Sequence, residues 1–290
     1  MRHSLLGLLL LLTCFCANAQ DHAKTVFWQV TKKGSSDTSY LFGTFHEVNL
    51  SFFENYPGAI QKLKQTSTVF VEEEMVNITA DKTQNDIKQE AFSEEKWNKL
   101  LNANQKKIFK QFTDKAEDKS YYKRQPLSDM LLLTRAYLIG LCDTGYRDPT
   151  IVIMDAFIEH TAMLENKNIQ YLDDEQAKFI AKKGAEAGKQ EKNAEVSSCI
   201  ALMKHMLEND LSGCAIMDSY KNLQIDYSFT KHNTGDPDLA TERNKLWLLK
   251  LNSAFKKQSC FVAIGFKHLI HQEGLIIGLR RLGYTVKPIL

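Results

Sequence analysis

The sequence predicts an α/β fold: a mixed, partly parallel sheet formed by the N- and C-terminal segments, with a large helical insertion forming a cap. Three observations predict it. Runs rich in β-formers stand at both ends of the chain, over 26–45 and 260–289. Strand, helix and strand follow one another over 39–72, the order of a βαβ unit and hence of locally parallel strands. The stretch 76–252 is polar or helical in pattern, which makes it an insertion into an α/β core of 20–75 and 253–290.

Taken in order, Val26–Thr31 and Ser39–Phe45 read as strands joined by the turn cluster Lys32–Asp37. Pro57 opens a helix to about Gln65, and Thr68–Glu72 is a compact strand. Residues 76–123 are Lys/Glu/Gln-rich and predict surface helices such as Ser93–Leu101. Pro126–Leu141 and Pro149–Leu164 are apolar helices, and Asn168–Leu172 is a short strand. Residues 174–252 read as almost wholly helical, punctuated by Gly188, Gly213 and Gly235. Cys260–Ile264 is a strand, Glu273–Leu282 a helix and Tyr284–Ile289 a closing strand. The apolar runs 69–71 and 261–264 are continuous, as in strands covered on both faces.

Composition narrows the function classes. With 43% hydrophobic and 25% charged residues, 14 Gly and 5 Pro, the chain is neither collagen-like, low-complexity nor disordered. Thirty-seven Lys+Arg against 35 Asp+Glu is too balanced for nucleic acid as the main partner. Residues 1–19 read as a signal peptide: Arg2 and His3, the apolar run Leu5–Leu12, and Ala17-Asn18-Ala19 for cleavage before Gln20. Thr13 stands where a lipoprotein box carries a smaller residue, so the expectation is a periplasmic or extracellular protein without an anchor. No later run approaches the ~18 apolar residues of a membrane span. Export leaves Cys142, Cys199, Cys214 and Cys260, which allow up to two disulfides or buried free thiols.

Two stretches rhyme across the chain. Leu41-Phe42-Gly43-Thr44-Phe45-His46 and Ala263-Ile264-Gly265-Phe266-Lys267-His268 are each an apolar strand followed by Gly-x-x-His. Each histidine then stands at the carboxyl end of a strand, the edge where open α/β sheets bind ligands. Val69-Phe70-Val71 runs into Glu72-Glu73-Glu74 in the same way. Two imidazoles and a carboxylate on neighbouring strand ends suit a divalent cation such as Mn, Co or Zn with positions left for water and substrate. Singly, each signal has a plain structural reading; the three together carry the metal site. His46-Glu47-Val48-Asn49-Leu50 lacks the second histidine of a zincin helix, and no G-x-S-x-G, Walker A or G-x-G-x-x-G motif occurs. His271 reads as peripheral, as do His22, His160, His205 and His232. Arg243, in Thr241-Glu242-Arg243-Asn244, is either an exposed partner of Glu242 or a pocket residue that holds a carboxylate or oxyanion.

These residues resemble the TraB/GumN family, whose relatives include the Tiki metalloproteases. The resemblance runs through Phe27-Trp28-Gln29-Val30, Gly43–His46, Thr68–Glu74, Glu242-Arg243-Asn244, Gly265–Leu269 and Gly283–Val286, and more loosely through Met154–Phe157 and Gln170–Asp173. Asp173 and Glu74 stand where the family usually has Glu and Asp. The resemblance implies a fold related to erythromycin-esterase-like and haem-binding ChaN-like proteins and, in the Tiki branch, metal-dependent proteolysis through the Gly-x-x-His histidines. The expectation is therefore a secreted or periplasmic metal-dependent hydrolase acting on a peptide or protein. His46 and His268 are its expected metal ligands, Glu72 a third ligand or the base, and Arg243 the group that orients substrate or stabilises an oxyanion. The alternative is a non-catalytic haem-, metal- or peptide-binding protein on the same fold.

Overall fold

In the computed structural model, which describes residues 23–75, 92–117, 120–143, 154–173, 176–232 and 237–290, six segments are strands. They are β1 (Phe27–Lys32), β2 (Ser39–Thr44), β3 (Thr68–Val71), β4 (Asn168–Tyr171), β5 (Cys260–Gly265) and β6 (Tyr284–Pro288). They form one sheet in the order β4-β3-β5-β2-β1-β6. β4, β3, β5 and β2 run parallel, while β1 is antiparallel to both β2 and β6. The mixed, partly parallel sheet is thus present.

The strand–helix–strand unit differs from expectation in one respect. β2 and β3 are parallel but are not neighbours, because β5 from the far end of the chain lies between them. The middle of the sheet must be apolar on both faces, and Phe261-Val262-Ala263-Ile264 is buried throughout. In register, Thr44 lies beside Gly265, and Phe70 beside Val262. Three carboxyl ends, those of β2, β3 and β5, therefore emerge side by side.

Helices α1 (Ser51–Glu54) and α2 (Pro57–Gln65) connect β2 to β3. Phe53 of α1 meets the rings of Phe42 and Phe261 edge-on, which clamps this crossover onto the sheet. The middle of the chain holds α3 (Glu94–Leu100), α4 (Ala103–Lys115), α5 (Pro126–Tyr137), α6 (Met154–Leu164), α7 (Gln176–Glu186), α8 (Lys189–Glu208) and α9 (Ala215–Lys221). Local chemistry starts two of these: the Ser93 side chain accepts from Lys96 N, and Asn102 and Gln105 form a reciprocal capping box. α3, α4, α5 and α8 close around their own apolar cluster, in which Trp97, Leu133 and Met203 are fully buried. The cap thus carries a second core.

The insertion is not purely a cap. β4 extends the sheet at its edge, and α6 lies against β3, β4 and β5. The helix expected over 126–141 ends at Tyr137 and continues as a π-helical turn, Leu138–Cys142, that carries Cys142 to Cys214. That pair is disulfide-bonded across 72 residues, whereas Cys199 and Cys260 are free and buried. The helix expected from Pro149 is described from Met154, and residues 1–19 and Gly235 lie outside the described residues. Helix is also interrupted after α9: Tyr227 and Phe229 leave helical structure to lie against Trp28 of β1. α10 (Pro237–Phe255) and α11 (Leu275–Arg281) complete the fold. α11 starts at Leu275, two residues later than expected, behind Gly274 at its N-cap, where a Cβ would lie 2.3 Å from the Ile270 carbonyl oxygen.

Candidate functional site

His46, Glu72 and His268 are each delivered by a strand end, and Arg243 by the helix α10. Beyond β2, buried Phe45 wedges against Tyr220 and Phe266, with centroids 5.3 and 5.4 Å away, and His46 follows it out of the sheet. The loop is tied down where Asn49 N donates to Asp143 Oδ2 (3.0 Å). Beyond β3, Glu72 is held in place as Asp173 N donates to its carbonyl (2.8 Å). Of the acidic triplet it alone is buried; Glu73 is exposed. Beyond β5, a 3₁₀ turn over Phe266–His268 turns the buried His268 back towards Glu72.

The three groups meet. Glu72 Oε1 lies 3.7 Å from His46 Nε2 and 3.9 Å from His268 Nε2, and it accepts from Gly265 N at 2.6 Å. A Cβ on Gly265 would stand 3.1 Å from Glu72 Oε1, 3.4 Å from His46 Nε2 and 3.7 Å from His268 Cδ2. The glycine of the second Gly-x-x-His thus leaves open the space between the three.

Both imidazoles are gripped from behind. His46 Nδ1 lies 3.1 Å from Asp155 Oδ2, and the other Asp155 oxygen accepts from Thr44 Oγ1 (2.7 Å). Asn244 Nδ2 donates to the carbonyls of His268 (3.2 Å) and Glu273 (2.9 Å), which turns Asn244 Oδ1 to accept from His268 Nδ1 at 2.7 Å. The Trp247 ring lies against His268, centroids 4.3 Å apart. Holding each Nδ1 aims each Nε2 at Glu72, the way metal-ligating histidines are oriented.

Arg243 is not a surface partner of Glu242, which pairs with Lys183 at 3.3 Å. Its Nη2 donates to Glu72 Oε2 (2.6 Å), its Nε to Asp173 Oδ2 (2.7 Å), and its Nη1 lies 3.3 Å from His268 Nε2. The guanidinium also sits 4.6 Å from the Trp247 ring centre.

Charge follows from these neighbours. Burial pushes the Glu72 carboxyl up, but His268, His46, Arg243 and the Gly265 N–H outweigh it and hold it at about 2. Burial pulls His268 down to about 4 against the attraction of Glu72. For His46 burial also pulls down, but the Asp155 carboxylate, with Glu72 and Glu47, wins and raises it to about 10. Near neutral pH the cluster is an ionised Glu72 between a charged His46 and a neutral His268.

Two imidazole nitrogens and a carboxylate oxygen are donor types that divalent cations accept. The spacings of 3.7 and 3.9 Å lie near the ~3.4 Å that separates two ligand atoms held tetrahedrally ~2.1 Å from one ion. Among the described residues no group of three or more His, Cys, Asp and Glu already stands in ligating geometry. Arg243 bridges Glu72 and His268 in this conformation. The backbone N–H of His271 donates to the Tyr227 carbonyl at 2.7 Å.

Sequence reasoning gave no site role to Asp155, Asn244 or Asp173. Asp155 had a signal: with Glu159 it places two acids at i and i+4 in a mainly apolar helix, and both are buried. Asn244 adjoins Arg243 in the resemblance. Asp173 meets Arg243 across 70 residues with no local sign.

A family model described as the TraB/PrgY/gumN family matches residues 26–288. No curated protein and no solved structure matches the chain.

Proposed function

The chain belongs to the TraB/PrgY/gumN family, and from that premise we propose that it is an exported, metal-dependent hydrolase that cleaves peptide bonds. The observation that carries the reading is the convergence of His46 Nε2 and His268 Nε2 on Glu72 Oε1, with both Nδ1 atoms held from behind. His46, His268 and Glu72 are the residues that would hold the ion. A divalent cation such as Mn, Co or Zn supplies, when bound, a Lewis acid that polarises a carbonyl and acidifies water. Glu72 stays ionised down to about pH 2, which suits a ligand better than a base. Arg243 turns a planar set of donors towards the same space, fitted to an oxyanion or a substrate carboxylate. Export is supported by the Cys142–Cys214 disulfide, which persists in oxidising compartments. Among the described residues no helix is long and apolar enough to cross a membrane.

The test is peptide cleavage by the secreted protein. Chelation should abolish turnover, a divalent ion should restore it, and His46→Ala should leave nothing to restore. Turnover indifferent to chelator and to His46→Ala would overturn the reading. One observation favours a second reading, a binder without turnover: Arg243 already neutralises Glu72 and Asp173. That reading expects stoichiometric metal and no cleavage of any peptide in a broad library.

A further inference from the structure

Beside the cluster, on the flank of Arg243, lies a cleft of about 340 Å³. Its apolar walls are Leu172, Phe179, Leu246 and Trp247, and Lys178 and Lys182 contribute to its lining. We propose that this cleft is the subsite for a large apolar side chain of the substrate, a specificity pocket that rests on the peptide hydrolase reading.

Two observations point there. The first is continuity. Arg243, Asp173 and Trp247 line the cleft, while Arg243 donates to Glu72 and Asp173 and Trp247 lies against His268. Arg243 is thus common to the cleft and to the cluster. The second is exposure. Leu246 is 64% exposed on α10, one residue from fully buried Trp247. A single exposed leucine means little, but this one forms the side of a concave apolar surface joined to a polar centre, the usual make-up of a ligand site. Leu249, one turn further along α10 and 70% exposed, extends the apolar face past the cleft.

The occupant is therefore a leucine- or phenylalanine-sized side chain. Small side chains leave the cleft unfilled, and a charged one of either sign gives up its hydration against the apolar walls Leu172, Phe179, Leu246 and Trp247.

The test uses fluorescein-labelled hexapeptides of Gly and Ser with one central variable residue, Leu, Phe, Ala, Asp or Lys. Binding to the full mature chain is read by anisotropy with metal removed, so that turnover plays no part. Leu and Phe peptides should bind about ten-fold or more tighter than Ala. Leu246→Asp and Phe179→Ser should each bring them to the Ala level with an unchanged circular-dichroism spectrum. Equal affinity for all five peptides, binding to none of them, or variants that retain the preference would overturn the cleft. Failure of the hydrolase reading appears elsewhere, as absent cleavage with the side-chain preference intact. Cleavage with no preference at the variable position removes the subsite and leaves the hydrolase standing.

Discussion

Asp155 Oδ2 stands 3.1 Å from His46 Nδ1, while Asp155 Oδ1 is fastened to Thr44 on the strand that delivers that same histidine. One buried acid thus fixes both the orientation of the ring and its charge. His46 follows β2 and Asp155 lies on α6, so the site is assembled across the joint between sheet and insertion.

Asp155→Asn should lower the His46 pKa from about 10 towards 6.5, followed by NMR of the ring in metal-free protein. The sign also predicts a stability effect. A raised folded pKa gives stabilisation that is complete below pH 6.5 and fades as pH rises through about 10. The stability gap between wild type and Asp155→Asn should therefore narrow from pH 6 to pH 10. A gap constant with pH would detach Asp155 from the charge of His46.

His268 gives the opposite slope. Its folded pKa is depressed to about 4, so its contribution is complete above pH 6.5 and is lost as pH falls towards 4. Between pH 6.5 and 4.5 the metal-free protein should lose ~2–3 kcal/mol, at about 1.4 kcal/mol per pH unit. Denaturant midpoints of wild type and His268→Gln measure this: the variant should lack the slope. The same slope in both would assign it to another group.

Asn244→Ala should weaken metal binding ~10–100-fold by freeing the His268 ring, which is a competition measurement against a chelator dye. It should also cost ~1–3 kcal/mol, since it strands the buried His268 carbonyl and the half-buried one of Glu273. Loss of stability at unchanged metal affinity would make Asn244 purely structural.

Arg243→Ala leaves the carboxylates of Glu72 and Asp173 without their shared cation, so a loss of ~3–5 kcal/mol is expected in metal-free protein. A surface pair would cost no more than about 1 kcal/mol. Turnover should fall ~10²–10³-fold with metal stoichiometry kept, and Arg243→Lys should rescue little. Full activity in Arg243→Ala would exclude it from the chemistry.

What could be read from the chain depended on range. The two Gly-x-x-His ends and Glu72 were legible because strand, glycine and polar residue follow within a few positions. The slot taken by β5 was not, since nothing in Cys260–Gly265 says which strands flank it. Only that slot brings His268 beside Glu72. The pairing of Cys142 with Cys214 and of Asp173 with Arg243 joins distant parts of the insertion, which no local pattern encodes. Asp155 was the nearest miss, as a buried acid on an apolar helix asks for a partner.

The most direct measurement is calorimetric titration of Zn or Mn into chelator-treated protein near pH 7.5, in two buffers of different ionisation heat. Saturation near one ion per chain is expected, with about one proton released because His46 must give up its charge to ligate. His46→Ala and His268→Ala should each abolish it. Absence of saturable uptake, or uptake equal in wild type and both variants, would contradict a metal centre at His46, Glu72 and His268.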